Sequence, residues 1–153
     1  MQFEIYLKIF LKRYLEVCSH LITLSKTKKL THQVCTFALK LTLHGDMAEP
    51  ALSYAGHSVK VFQFVEDCGK KTRSTKSDLT LSVSKIKQML DKNDFTVSDT
   101  AAVFTTALVE YIILDIATLC ADNNDNAIAS KALLDMIVHN DPELCLLFQN
   151  KSF

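Results

Sequence analysis

Proline and glycine are nearly absent, with two and three residues in a chain of 153. That excludes a β-sandwich or barrel, which needs turn residues about every 8–12 positions, and it leaves little room for irregular loops. Charge of one sign is also missing: seventeen Lys/Arg offset seventeen Asp/Glu, so a chain that wraps nucleic acid by bulk charge alone is excluded. No arginine follows Arg73. The five cysteines form no CxxC, and none sits beside a histidine at zinc-ligand spacing, so a structural metal site has no donors. Their odd count and apolar settings suit reduced, buried thiols in an intracellular protein. No glycine-rich phosphate loop occurs, and His139-Asn-Asp141 has no Ser or Cys nucleophile beside it. The chain therefore reads as a non-enzyme with no cofactor and no small-molecule substrate. Residues 3–24 are apolar but broken by Glu4, Lys8, Lys12, Arg13 and Glu16, which excludes a signal peptide or a membrane span there. The sequon Asn150-Lys-Ser152 then carries no meaning.

What is present is helix. The chain is organised around residues 101–148, and above all around 103–120, which hold no Gly, no Pro and two charges, Glu110 and Asp115. Phe104, Ala107/Leu108, Tyr111/Ile112 and Leu119 repeat at helical spacing, while Val103, Val109, Ile113, Leu114 and Ile116 fall on the other faces. A helix apolar nearly all round must be covered nearly all round. Its length spans a bilayer only marginally, and its two acids make that unfavourable. A central helix gripped by other helices is the better reading. A polar break at Asp122–Asn126, a short helix from about Ser130 to Val138 and a terminal one from about Pro142 follow it.

Upstream, Phe3, Leu7, Phe10/Leu11, Tyr14/Leu15, Cys18 and Leu21/Ile22 mark one face of a long helix ending near Leu24. Ser25–Lys29 breaks it. Thr31 is placed to N-cap a short helix to about Leu43, with Val34, Phe37/Ala38 and Leu41 inward. Gly45 can close that helix and Asp46 can cap the next, which carries Ala48, Ala51/Leu52, Ala55 and Val59. Pro50 is tolerable there because it lies in the first turn. Residues 66–77 have no periodicity and read as a linker. Leu79–Leu90 reads as a short helix with Val83, Ile86 and Met89/Leu90 inward, and Asn93–Thr100 as a loop. A long helix, a loop and a short capped helix thus occur twice.

Charge follows the same division. Residues 1–76 hold twelve Lys/Arg against six Asp/Glu, and residues 77–153 hold five against eleven. Such halves attract each other, or present a basic and an acidic face to different partners.

The order of elements resembles the histone fold. Ala102-Val-Phe, Leu108-Val-Glu-Tyr111 and Leu133–Asp141 are similar to the A-type core histone of the nucleosome's outer dimer, especially its short variants. Lys71–Ser74 and Leu79–Val83 resemble the start of that histone's fold. Lys28–Thr31, Ala38–Leu41, Gly45–Ala48 and Ala51–Ser53 resemble the loop, third helix and terminal helix of its B-type partner. The resemblance implies an all-α, intrachain pseudo-heterodimer in which two long helices cross in a handshake. It implies further that residues 1–65 are a B-type half lacking its first helix, residues 66–78 a linker, and residues 79–153 an A-type half without its docking tail. It implies a nuclear, chromosomal protein without catalysis and without a membrane. The implied partners are double-stranded DNA, bound weakly, the inner histone tetramer, and histone chaperones. A partner-binding histone-fold subunit that has left DNA is the competing reading.

Carried onto this sequence, the family's DNA contacts fall on Lys28, Lys29, Arg73, Lys76 and Lys85. Loops 93–100 and 122–130 have lost their arginines. Lys26–Lys29, beside a helix start, is placed either to hold a phosphate or simply to be solvated. The family's acidic patch falls on Asp46, Glu110, Asp115, Asp141 and Glu143, while Thr118, Pro142 and Tyr54 stand where acids are usual. Ordinary exposed carboxylates are the alternative account. Asp122–Asn126 fails as a calcium loop, with Ala127 and Leu133 in the places of the turn glycine and the bidentate glutamate.

Overall fold

The apolar stripes settle into five helices and one short pair of strands in the computed structural model, which describes residues 2–43, 48–64, 79–92 and 95–123, with side chains between residues 5 and 118. In chain order these are α1 (Gln2–Leu24), β1 (Lys29–Leu30), α2 (His32–Thr42), α3 (Ala48–Phe64), α4 (Val83–Asp91), β2 (Thr96–Val97) and α5 (Asp99–Asn123). The fold is all-α apart from β1 and β2.

The central helix is α5. Ala101 through Glu110 are all buried, one after another, so every face of its first three turns is covered. Small residues (Ala101, Ala102, Thr105, Thr106, Ala107) let neighbouring elements approach, while Phe104, Leu108 and Ile112 fill the space between them. The most apolar window, Asp99–Thr118, is long enough to cross a membrane, yet 67% of it is buried within the protein. Its covering consists of α3, α4 and α2. Buried hydroxyls on these helices are satisfied locally: Thr106 Oγ1 donates to Ala102 O at 2.7 Å and Thr42 Oγ1 to Ala38 O at 2.7 Å.

Helix α1 buries Tyr6, Phe10, Leu11, Tyr14, Val17, Cys18 and Ile22 and packs chiefly on α2. A buried polar contact joins the two long helices, Tyr14 Oη to Thr105 Oγ1 at 3.1 Å. Beyond α1 and before α5 the chain pairs with itself. β1 and β2 run parallel, with Lys29 opposite Thr96 and Leu30 opposite Val97. Leu30 and Val97 point into the core, and Lys29 and Thr96 point out.

Several expectations shift in detail. Thr31 does cap α2, accepting from Val34 N. The face that α2 buries, however, is Cys35, Ala38, Leu39 and Thr42. Phe37 and Leu41, expected inward, are 61% and 51% exposed. The small Cys–Ala pair lets the helix sit close, and the larger side chains turn outward. Helix α4 begins at Val83 rather than Leu79, capped by Ser82, because the preceding backbone is drawn to Glu110. Met89 on α4 is 41% exposed. The expected loop 93–100 contains β2 and the first turn of α5, whose cap is Ser98 Oγ accepting from Ala101 N at 3.1 Å. Helix α5 runs through Asn123, past the start of the expected polar break. The expected roles of Gly45 and Asp46, the linker and the helices after residue 123 lie outside the described residues.

Candidate nucleic-acid interface

The parallel strand pair gathers basic and hydroxyl side chains from two distant parts of the chain. Helix α1 ends in a tight reversal: Ser25 N donates to Leu21 O at 3.0 Å, Lys26 N to Thr23 O at 3.2 Å, and Thr27 N to Ile22 O at 3.3 Å. Lys26 takes a left-handed backbone (φ 56°) at this point, a conformation that non-glycine residues rarely adopt. The chain then enters β1, where Lys28 O accepts from both Thr96 N (2.9 Å) and Thr96 Oγ1 (3.1 Å), and Leu30 O accepts from Ser98 N (3.0 Å). His32 Nδ1 and Thr100 Oγ1, 3.2 Å apart, tie the starts of α2 and α5 together. Beside this pair lies a depression of about 400 Å³ lined by Ser19, Ile22, Thr23, Thr27, Lys28, Lys92 and Phe95. Two ammonium groups from opposite halves of the chain, with three hydroxyls between them, make a setting for phosphate oxygens.

Within α5 the chemistry is reversed. Glu110 is only 8% exposed. Its Oε1 accepts from Tyr54 Oη at 3.0 Å, and its Oε2 accepts from Thr80 N at 3.0 Å and Leu81 N at 3.2 Å. Tyr54 also packs against Tyr111, ring centroids 5.9 Å apart. The carboxylate joins α3, the segment before α4 and α5 at one point, and both its oxygens are already engaged.

No family model matches the chain. Two curated human proteins do, both A-type core histone variants of the Bbd class: the type 2/3 histone, 34% identical over 82 residues, and the type 1 histone, 33% identical over 82 residues. Each match takes in 50% of this chain and 71% of the relative. This chain belongs to the histone family.

The all-α architecture is accordingly the histone fold, and this histone is a nuclear, chromosomal protein of a non-catalytic class. Of the basic residues expected at DNA, Lys28 and Lys29 lie at the strand pair and are exposed, and Lys85 is exposed in the first turn of α4. Arg73 and Lys76 lie outside the described residues. Lys92 joins them without any mark in its sequence neighbourhood. Only the β1–β2 pairing carries it to the same depression as Lys28. Of the acidic residues, Glu110 is turned to interior work rather than surface display. Asp115 is half-buried and already has an interaction partner. Asp46, Asp141 and Glu143 lie outside the described residues. Tyr54, which stands in place of an acid, is the hydroxyl that binds Glu110. Thr118 is exposed, its hydroxyl donating to Leu114 O at 2.8 Å.

Proposed function

We propose that this chain acts as a self-contained outer histone pair, a B-type half (residues 1–65) joined through residues 66–78 to an A-type half (residues 79–153). In this reading it binds duplex DNA weakly, joins the inner histone tetramer, is handled by histone chaperones, and gives a loosened nucleosome. The observation that carries the reading is the parallel pairing of β1, after one long helix, with β2, before the other. It ties two units, each containing one long helix, together within one chain, as this reading requires. Matches to single A-type histones over half of the chain are in keeping with it.

The DNA surface in this reading is the paired loop, with Lys28, Lys29 and Lys92 as its cations and Lys85 nearby; Arg73 and Lys76 in the linker add to it. The partner surface is the outer face of α2 with the end of α1. Phe37, Leu41 and Leu24 are 61%, 51% and 67% exposed there, and a groove of about 390 Å³ lined by Leu21, Val34 and Phe37, among others, opens beside them. Apolar side chains grouped this way suit burial against another helical pair. The same face favours the competing reading, an interaction subunit that no longer touches DNA.

Salt titration of DNA binding separates the two, carried out on the protein alone and on the protein mixed with the inner tetramer. Binding that strengthens with the tetramer and falls linearly on a log–log salt plot supports the nucleosomal reading. Absence of binding in both arms near physiological salt leaves the interaction subunit.

A further inference from the structure

Three hydroxyls line the depression beside the strand pair, and one of them is open to an enzyme. Ser19, Thr23 and Thr27 stand four residues apart along the end of α1 and its reversal, and share that depression with Lys28 and Lys92. Thr23 donates back to Ser19 O at 2.9 Å and stays on the helix. Thr27 differs. The left-handed turn at Lys26 takes the chain off α1, so Thr27 belongs to neither helix nor strand, and it is exposed. Its Oγ1 lies 3.0 Å from Ser25 Oγ, which gives its own proton to Ile22 O at 3.2 Å. Thr27 is therefore the donor in the pair, and the lone pairs of its oxygen are left for an incoming group. Lys26, Lys28 and Lys29 flank it, and no Asp or Glu occurs between residues 17 and 45. Among the described residues no carboxylate lines the depression either. We propose that Thr27 is a phosphorylation site for a serine/threonine kinase that recognises basic flanks, and that its phosphate settles between Lys28 and Lys92, closing the depression to other phosphates.

The segment suits the reaction. An uninterrupted set of cations around the target hydroxyl draws in an acidic kinase cleft. Thr27 N is held to Ile22 O by a long bond of 3.3 Å, so the reversal opens locally at far less than the free energy of global unfolding. The group transferred is the γ-phosphoryl of ATP. Thr27 Oγ1 forms the new P–O bond, the bond from phosphorus to the β,γ-bridging oxygen breaks, ADP leaves, and the hydroxyl proton passes to the base of the kinase. The product carries a charge of about −1.5 to −2 at pH 7 and three strong acceptor oxygens. Two ammonium groups are already at hand to meet it by charge-assisted hydrogen bonds. Lys28 arrives with the modified loop itself, whereas Lys92 is the C-cap of α4. The phosphate thus bridges two distant parts of the chain at their paired loops and takes two cations out of the surface offered to nucleic acid. That consequence rests on the DNA-binding reading; the site and its docking do not.

The test treats the full, folded chain with ATP and the catalytic domain of a protein kinase C, and maps the product by mass spectrometry. A phosphate on Thr27 is expected, both in the chain and in a free peptide of residues 22–32. A modified peptide beside an untouched chain, no phosphate on either, or phosphate on other hydroxyls with Thr27 free would each overturn the proposal. Phosphorus NMR then follows the second ionisation of the phosphothreonine, ordinarily at about pH 6. It should lie lower in the folded chain than in the phosphopeptide, which has Lys28 but lacks Lys92, and Lys92→Ala should return it towards the peptide value. Equal values in chain and peptide would show that the phosphate does not dock. On duplex DNA the phosphorylated chain should lose about 1.8 from the log–log salt slope, for two contacts at about 0.9 each, and an unchanged slope also counts against the proposal. A parent chain that binds no DNA would sink the DNA reading alone, with the phosphate map and the titration still deciding the site.

Discussion

Glu110 is a residue whose type says one thing and whose surroundings say another. A carboxylate midway along an apolar helix reads as a surface acid, but here it receives a phenol and two consecutive backbone amides. Hydrogen bonds to an ionised acceptor are each worth about 1.5–3 kcal/mol, and the stranded donors add their own desolvation. Glu110→Gln keeps one acceptor but sets an amide group against N–H donors, so it should lower stability by about 1.5–3 kcal/mol, with Glu110→Ala lower still. Tyr54→Phe, which removes the donor to Glu110 Oε1 and leaves that nearly buried oxygen without it, should lose about 1–2 kcal/mol. Urea melts give this order directly, and a Glu110→Gln protein as stable as the parent would remove the carboxylate from its joining role. The Tyr14 cluster gives a pH signature. Burial, with additional repulsion from the neighbouring thiols, raises the Tyr14 phenol well above its usual 10.0, and the bond to Cys35 and burial raise Cys18 above its usual 9.0. An acid raised on folding keeps its proton in the native state while the unfolded chain has lost it. Stability is then complete below the unfolded value and declines above it. At Cys35 burial is outweighed by hydrogen bonds, which lower the thiol and offset Cys18 over the same range. Melting temperature should thus fall from about pH 10 upward, where Tyr14 is the raised acid that remains, and Tyr14→Phe should flatten that fall. An unchanged melt between about pH 8 and 11, a range that brackets the two unfolded values, would contradict the buried cluster.

Elements were legible where periodicity and caps agreed. Gln2–Leu24 and the body of Asp99–Asn123 follow from runs of apolar residues at helical spacing, and α2 follows from Thr31. What was not legible depended on contacts made far along the chain. The segment Leu79–Ser82 has helix-like residues, but its amides are taken by Glu110, thirty residues later for Thr80. The pairing of Thr96–Val97 rests on Lys29–Leu30, which no local pattern announces. On α2 the 3.6-residue period admits two neighbouring faces, and bulk alone favours the one with Phe37 and Leu41; close packing of Cys35 and Ala38 against α1 and α5 selects the other. This distinction can be measured. Phe37→Ser with Leu41→Ser, both on the outer face, should change stability by no more than about 0.5 kcal/mol each while weakening association with histone partners. Thr31→Ala should lose about 1 kcal/mol through the cap. Ile112→Asp with Ile116→Asp, at 0% and 1% exposure, should abolish folding, because an unpaired carboxylate has no water in that core. A soluble, cooperatively unfolding version of that last variant would mean α5 is not the centre of the molecule.

At the scale of the molecule, the proposed DNA surface draws on lysines alone among the described residues, and they come to it from both halves of the chain. After Arg73 the sequence offers no arginine, so the half that resembles the A-type histone has no guanidinium for a minor groove or for a bidentate grip on phosphate. Net charge of zero adds no long-range pull. Each phosphate contact contributes about 0.9 to the log–log salt slope, so a surface with few contacts has both a low affinity and a shallow slope. Lys28→Ala and Lys92→Ala should each reduce that slope by about 0.9 if both side chains reach phosphates in the complex. Lys40→Ala, exposed on α2 away from the strand pair, should leave it unchanged. Assembled with the inner tetramer on duplex DNA, the chain should give particles in which the outer DNA turns detach readily. Nuclease digestion should then protect clearly fewer base pairs than the ~146 of an ordinary octamer, and the chain should leave the particle at lower salt than an ordinary outer dimer does. Lys28→Arg combined with Lys92→Arg should lengthen the protected fragment, since the backbone of the paired loops already presents both positions to one depression. Full-length protection by the parent protein, with ordinary salt stability, would show that the lysine-only surface holds DNA as firmly as an arginine-bearing one.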